Sequence, residues 1–199
     1  MFTGAALRRV GQTVVLLTTV LSFATSASAQ DQDFPRVSGF AGYSQLRISA
    51  PNEFAAVLNN VFGWGASVTN NVSRNFGITA DFSGHYRNVY VEQATARANA
   101  HSFMFGPTFT FRRVPKVTPF VHGLAGIAVV SGVARESRKV KTKSSSGFVG
   151  AVGGGLDISL SRSFGLRFLE VDYLPAHNRE AGTLHNVRWR SGLTFSFGK

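Results

Sequence analysis

An all-β chain, an eight-stranded antiparallel up-and-down β-barrel that crosses a membrane after a cleaved signal peptide, is the fold class this sequence predicts. Three observations carry it: an export signal at the N-terminus, strand-length segments in which bulky apolar residues alternate with small or polar ones, and connections that alternate between short and long. The last stretch, His185 to Phe197, shows the alternation well. Val187, Trp189, Leu193, Phe195 and Phe197 fall on one face of an extended strand, and Arg188, Arg190, Thr194 and Ser196 on the other.

The export signal sets the domain boundary. Arg8 and Arg9 give a positive start, Val14 to Phe23 an apolar middle, and Ala27-Ser28-Ala29 a small-residue cleavage site. Residues 1–29 are therefore expected to be removed, leaving residues 30–199 as one barrel domain. The apolar run is shorter than the ~20 residues a spanning helix needs.

Composition narrows the function classes. The chain has no cysteine, so neither disulfides nor thiol chemistry are open to it. Loss of Arg8 and Arg9 leaves 19 basic residues against 10 acidic ones, a net charge of +9. An exported chain with that balance meets phosphorylated lipids and acidic polysaccharide, and nucleic acid is not expected as a partner.

Eight strands are expected, near residues 36–48, 62–70, 76–87, 98–112, 118–130, 147–160, 164–174 and 185–197. The first and fifth alternate least cleanly. The second sets Phe62, Trp64, Ala66 and Val68 against Gly63, Gly65, Ser67 and Thr69. The third sets Phe76, Ile78, Ala80, Phe82 and Tyr86 against Gly77, Thr79, Asp81, Ser83 and His85. The fourth opposes Phe103, Phe105, Phe109 and Phe111 to Ser102, Met104, Gly106, Thr108 and Thr110. Pro107 on its apolar side, unable to donate to a ladder, points to a bulge or a shifted register. The sixth places Phe148, Val152, Leu156, Ile158 and Leu160 opposite Gly153, Gly155, Asp157 and Ser159. In the seventh the apolar side switches after Phe168, and a bulge there would keep Arg167, Glu170 and Asp172 pointing inward together.

Bulky faces almost free of charge, opposite faces of Gly, Ser, Thr and a few charges, fit lipid outside and a narrow polar lumen. A soluble exported barrel with a large apolar pocket fits the same alternation and stays open. Connections after strands two, four and six are short, while residues 49–61, 88–97, 131–146 and 175–184 read as longer polar loops. Phe76, Phe111, Phe164 and Phe197 gather beside the short turns, and Phe62, Trp64, Tyr86, Phe148 and Tyr173 beside the loops, as two bilayer interfaces would select.

With these features, from about Phe34 to Phe197, the chain resembles the small eight-stranded outer-membrane β-barrel family, the OmpA- and OmpX-like transmembrane domains. The resemblance implies the outer membrane of a Gram-negative-type bacterium, short turns toward the periplasm, and outer-membrane lipids and lipopolysaccharide as surroundings. It also implies that the terminal Leu193-Thr194-Phe195-Ser196-Phe197 strand is read by the barrel-assembly machinery, with periplasmic chaperones during biogenesis. In the family the strand usually ends on the aromatic itself, whereas here Gly198 and Lys199 follow. The resemblance carries no catalytic motif.

Two groups stand out as candidate sites. Asp81, His85, Arg167, Glu170 and Asp172 are expected to form a polar lumen network that plugs the barrel. Arg135, Arg138, Lys139, Lys141 and Lys143 crowd one Ser- and Lys-rich segment, a candidate contact for anionic lipid or polysaccharide whose plainer reading is a solvated loop. A lipid-modifying enzyme would need a His and Ser sharing a proton, and the neighbours His101 and Ser102 point to opposite faces. Gly150, Gly153, Gly154 and Gly155 lack the Lys-Ser/Thr and helix of a nucleotide loop. Asn71-Val72-Ser73 fits a glycosylation triplet but falls in a short turn. No catalytic residue, cofactor or metal is expected. The expected function is a structural or surface-interaction barrel, the alternatives a lipid-modifying enzyme or a soluble periplasmic lipid carrier.

Overall fold

The computed structural model describes residues 34–49, 60–91, 94–114, 116–136, 139–178 and 182–198. The signal-peptide reading of residues 1–29 and the first long connection lie outside them. Eight strands follow one another around a closed barrel: β1 Val37–Ser49, β2 Asn60–Asn71, β3 Phe76–Val91, β4 Ala94–Thr110, β5 Val117–Glu136, β6 Lys139–Ser159, β7 Phe164–Asn178 and β8 Gly182–Phe197. All neighbours are antiparallel, and β1 closes on β8 from Val37 opposite Phe197 to Ser49 opposite His185. Closure matters because an unpaired strand edge is not tolerated in hydrocarbon. The shortest strand has 12 residues and the longest 21, more than the ~9–11 a tilted strand needs to cross. Among the described residues, no helix is long and apolar enough to do so.

Burial is inverted relative to a water-soluble protein. Phe148, Leu160 and Phe168 are 61%, 70% and 61% exposed, whereas Asp81, Glu170, Asp172 and Arg188 are 0% exposed. A soluble barrel would do the opposite, so the pocketed soluble barrel is excluded: the apolar solvent lies outside. Both aromatic girdles are exposed on the outer face, Phe76, Phe111, Phe164 and Phe197 at one end and Phe62, Trp64, Tyr86, Phe148 and Tyr173 at the other.

The β7 irregularity falls where the charges require it. Pairing steps from Arg167 opposite Gly192 to Glu170 opposite Arg190. Phe168 and Leu169 both face outward, so the extra residue restores Glu170 and Asp172 to the lumen beside Arg167.

Two short turns share a pattern. In Val72-Ser73-Arg74-Asn75-Phe76 the Phe76 N–H donates to Ser73 Oγ at 3.1 Å, and in Leu160-Ser161-Arg162-Ser163-Phe164 the Phe164 N–H donates to Ser161 Oγ at 3.0 Å. Each serine oxygen substitutes for a backbone acceptor and closes the turn.

Two expectations need correction. Pro107 causes neither a bulge nor a shift: Phe105 faces Ala125 and Thr108 faces His122, one register on both sides. Its ring lies on the exposed face, so the cost is confined to the missing N–H. The polar stretches 88–97, 131–146 and 175–184 are largely strand: β3 pairs with β4 to Val91 opposite Ala94, and β5 with β6 to Glu136 opposite Lys139. Above lipid, a continued ladder satisfies the backbone of polar residues as well as water does.

Candidate functional site

The period of two on β3, β7 and β8 brings one belt of charge into the lumen. Arg188 donates from Nε and Nη2 to Asp172 Oδ2 at 2.9 and 2.7 Å, and from Nη1 to Asp81 Oδ1 at 3.0 Å. Arg190, two residues on, donates from Nε to Glu170 Oε1 at 3.1 Å, from Nη2 to the same oxygen, and from Nη1 to Asp81 Oδ2. Arg167 forks onto Asp157 with bonds of 2.7 and 2.9 Å and reaches Glu170 Oε2 at 2.7 Å. His122 of β5 donates from Nε2 to Asp172 Oδ1 at 2.8 Å. Three guanidiniums thus meet four carboxylates in a site shielded from water, where each pairing offsets the large desolvation cost of its members.

Arg167 is also held between two rings, its Cζ 4.5 Å from the Phe40 centroid and 4.2 Å from that of Phe120. Both phenylalanines are buried in the lumen. Cation–π contact makes a guanidinium an acceptable neighbour for an inward aromatic.

Of the five lumen residues expected from sequence, Asp81, Arg167, Glu170 and Asp172 share this belt. His85 is buried beside it, its Nε2 and Ser44 Oγ in a 2.9 Å hydrogen bond. Sequence reasoning left out Arg188, Arg190, His122, Asp157, Phe40 and Phe120. The signal for both arginines was present, because alternate positions on the polar face of the last strand must enter the lumen. Of the basic segment, Arg138 lies outside the described residues, while Arg135 falls on β5 and Lys139, Lys141 and Lys143 on β6.

Beyond the belt, away from the short turns, a buried apolar cluster fills the lumen beside the buried Asn186, whose Nδ2 donates to the Leu174 carbonyl. Leu124 follows His122 on β5, Leu174 follows Asp172 on β7, and both join Met104, Val149 and Ala151 in a buried cluster. On the short-turn side a cavity of about 680 Å3 opens, its wall including Ser67, Thr79, Thr108, Thr110 and Thr118. Thr79 Oγ1 lies 2.8 Å from Thr69 Oγ1 and 2.5 Å from Thr108 Oγ1. The lumen is therefore a hydroxyl-lined vestibule, an ionic belt and an apolar plug in succession.

His122, Glu170 and Asp172 bring possible ligand atoms within 4.8 Å of one another. Every oxygen of the two carboxylates already accepts from a guanidinium or from His122, so a metal ion would have to displace an arginine. His101 and Ser102 part company: His101 lies outside, edge-on to the Tyr86 ring at 5.5 Å, while Ser102 Oγ bonds Ser83 Oγ at 2.7 Å.

A closed, lipid-facing, antiparallel barrel whose lumen is crossed by a belt of ion pairs defines a small integral barrel of the outer membrane. Residues 15–197 match the family of the outer membrane protein beta-barrel domain, and the chain belongs to that family; it is a protein of the Gram-negative outer membrane. No curated protein matches the sequence. Among solved structures, Ail, the attachment invasion locus protein of Yersinia pestis, is similar at TM-score 0.59 and 15% identity, covering 81% of this chain and 99% of its own. Ail in complex with the heparin analogue sucrose octasulfate is similar at TM-score 0.59 and 16% identity, over 80% of this chain and 97% of that one. Neisserial surface protein A is similar at TM-score 0.57 and 10% identity, over 81% and 97%. At these identities the likeness is one of fold.

Proposed function

We propose that the protein is a structural and surface-interaction barrel whose β5–β6 hairpin contacts the phosphates of lipopolysaccharide or acidic polysaccharide. The observation that carries this is the reach of the hairpin. The last β6–β7 pair is Phe148 with His177, and β6 runs on from Gly147 to Lys139 against β5 alone. At about 3.3 Å per residue that is roughly 30 Å of strand beyond the outer aromatic girdle. Along it lie Arg135, Lys139, Lys141 and Lys143. Clustered cations beside an anionic leaflet each contribute about 1 kcal/mol of attraction. Ail, a barrel of this fold, has been solved with the polyanionic heparin analogue sucrose octasulfate, which supports polyanion contact as a use of the architecture.

In this reading the lumen residues Asp81, His85, Arg167, Glu170 and Asp172, extended by Arg188 and Arg190, form a structural plug and catalyse nothing. Biogenesis follows the family route, through periplasmic chaperones and the barrel-assembly machinery acting on the strand that ends at Phe197. The test is to replace Arg135, Arg138, Lys139, Lys141 and Lys143 with Ser and measure capture of lipopolysaccharide at two salt concentrations. Wild type binds more weakly as salt rises, and the variant loses most binding. Equal binding by both proteins would remove the proposal.

A further inference from the structure

Among the described residues, the turns at the short-turn end of the barrel carry basic side chains that no carboxylate pairs. The three turns contribute Arg74, Arg112, Arg113, Lys116 and Arg162 and contain no Asp or Glu. Among the described residues, no carboxylate lies within ion-pairing distance of any of the five; the ion pairs found are those of the lumen belt. Exposed basic residues usually sit among acids of a mixed surface, so three neighbouring turns of one sign call for a partner.

Two of these residues are held together in a fixed arrangement. Arg74 Nη2 donates to the Arg112 carbonyl at 3.4 Å, Arg112 Nη1 donates to the Arg74 carbonyl, and Arg112 Nη2 donates to Asn71 Oδ1 at 3.2 Å. Reciprocal bonds across the β2–β3 and β4–β5 turns keep two like charges side by side. A guanidinium carries five N–H donors, so each retains donors for an incoming acceptor. Partial burial, and then the Arg74 charge, hold the Arg112 guanidinium below its ordinary pKa against the opposing pull of Asp157.

The surroundings specify the anion. Arg74, Arg112 and Arg113 share a groove with Asn75, Phe109 and Phe111. The two phenylalanine rings meet edge-on at 4.9 Å and are both exposed on the outer face, Phe111 as part of the aromatic girdle. One wall is thus continuous with the hydrocarbon-facing surface and the other is cationic at headgroup height, an amphipathic slot with the polarity of a phospholipid. Guanidiniums match phosphate oxygens in fork geometry, and outer-membrane barrels turn their short turns to the periplasm.

We propose that Arg74, Arg112 and Arg113, with Phe109 and Phe111 beneath them, form a binding site for the phosphodiester headgroup of an anionic glycerophospholipid in the periplasmic leaflet. The site is separate from the lumen belt and lies at the opposite end of the barrel from the basic β5–β6 hairpin. Arg74 and Arg112 also border the vestibule, so a soluble phosphate entering from the periplasm is the competing source of the same chemistry.

The test uses the full folded barrel in mixed micelles holding equal phosphatidylglycerol and phosphatidylcholine, with retained lipid read by native mass spectrometry. The variants are Arg74→Gln/Arg113→Gln, which spares the Arg112 hydrogen bonds to Asn71 and the Arg74 carbonyl, and the hairpin variant with its five basic residues changed to Ser. At roughly fivefold per basic side chain near an anionic surface, wild type and the hairpin variant retain phosphatidylglycerol several-fold over phosphatidylcholine, and the double Gln variant loses that preference while keeping its folded gel mobility. A parallel arm adds millimolar inorganic phosphate, which leaves the retained lipid unchanged. Retention in the mixing ratio by wild type, an undiminished preference in the Gln variant, or displacement of lipid by inorganic phosphate would each overturn the assignment.

Discussion

Replacing Arg190 with Met isolates what the ionic belt contributes to stability. Arg190 is 2% exposed and bonds Asp81 and Glu170. Removing one member of a buried pair costs ~3–5 kcal/mol, because the partner's charge stays buried without compensation. The geometry places this variant near the lower bound, since Asp81 keeps Arg188 at 3.0 Å and Glu170 keeps Arg167 at 2.7 Å. Arg188→Met belongs nearer the upper bound: Asp172 is left with His122 at 2.8 Å and Arg190 at 3.8 Å. The double variant Arg190→Met/Glu170→Met removes opposite charges together, and Asp81, Asp157 and Asp172 each still have an arginine. It is therefore expected to be more stable than Arg190→Met alone, a non-additivity that only coupled groups show. Urea titration of the folded barrel in lipid vesicles, followed by the fluorescence of Trp64 and Trp189, measures these three variants and the single change Glu170→Met. An Arg190→Met variant within ~1 kcal/mol of wild type, or a double variant as unstable as the two single changes summed, would refute the buried, mutually compensated belt.

Three further outcomes follow from the same structure. Deleting Leu169 removes the extra residue while Arg167 and Glu170 stay opposite Gly192 and Arg190 and both still face the lumen, so the folded, fast-migrating gel band should be kept, whereas deleting both Phe168 and Leu169 turns Glu170 and Asp172 toward lipid and should abolish it. At the closing seam, an added Cβ at Gly192 would lie 2.4 Å from Gly42 Cα and 2.5 Å from the Ala41 carbonyl oxygen; Gly192→Ala should cost ~1–3 kcal/mol in the same urea titration, while a change to Ala at Gly123, which has nothing within 4 Å, should be nearly neutral. Planar-bilayer recordings should show no discrete channel, and Met104→Ala/Leu124→Ala should show none either, because the ionic belt still blocks the path.

How much of this was readable beforehand depends on which solvent each face meets. Faces of β2, β3, β4 and β6 were legible because lipid admits no charge outside, which leaves a clean period of two. The β7 bulge was legible because Glu170 and Asp172 would otherwise face hydrocarbon. Phe40 and Phe120 were not, since their inward place depends on Arg167, which reaches them from another strand. Nor was the partner of Arg188 readable, with Asp81 lying 107 residues away. Ser- and Lys-rich stretches such as residues 139–146 read as loops because, above the membrane, polar strand and polar loop share one composition. Pro107 misled for a related reason, as an outward-facing ring at a single ladder step leaves the register untouched.

The most direct test of the lipid-facing, plugged barrel is the gel mobility of the protein from an isolated outer-membrane fraction, run with and without boiling in detergent. The account predicts a membrane-bound protein whose unboiled band migrates ahead of its boiled band, because the closed ladder of eight strands survives detergent until heated. A protein recovered in solution, or one with the same mobility in both lanes, would contradict it.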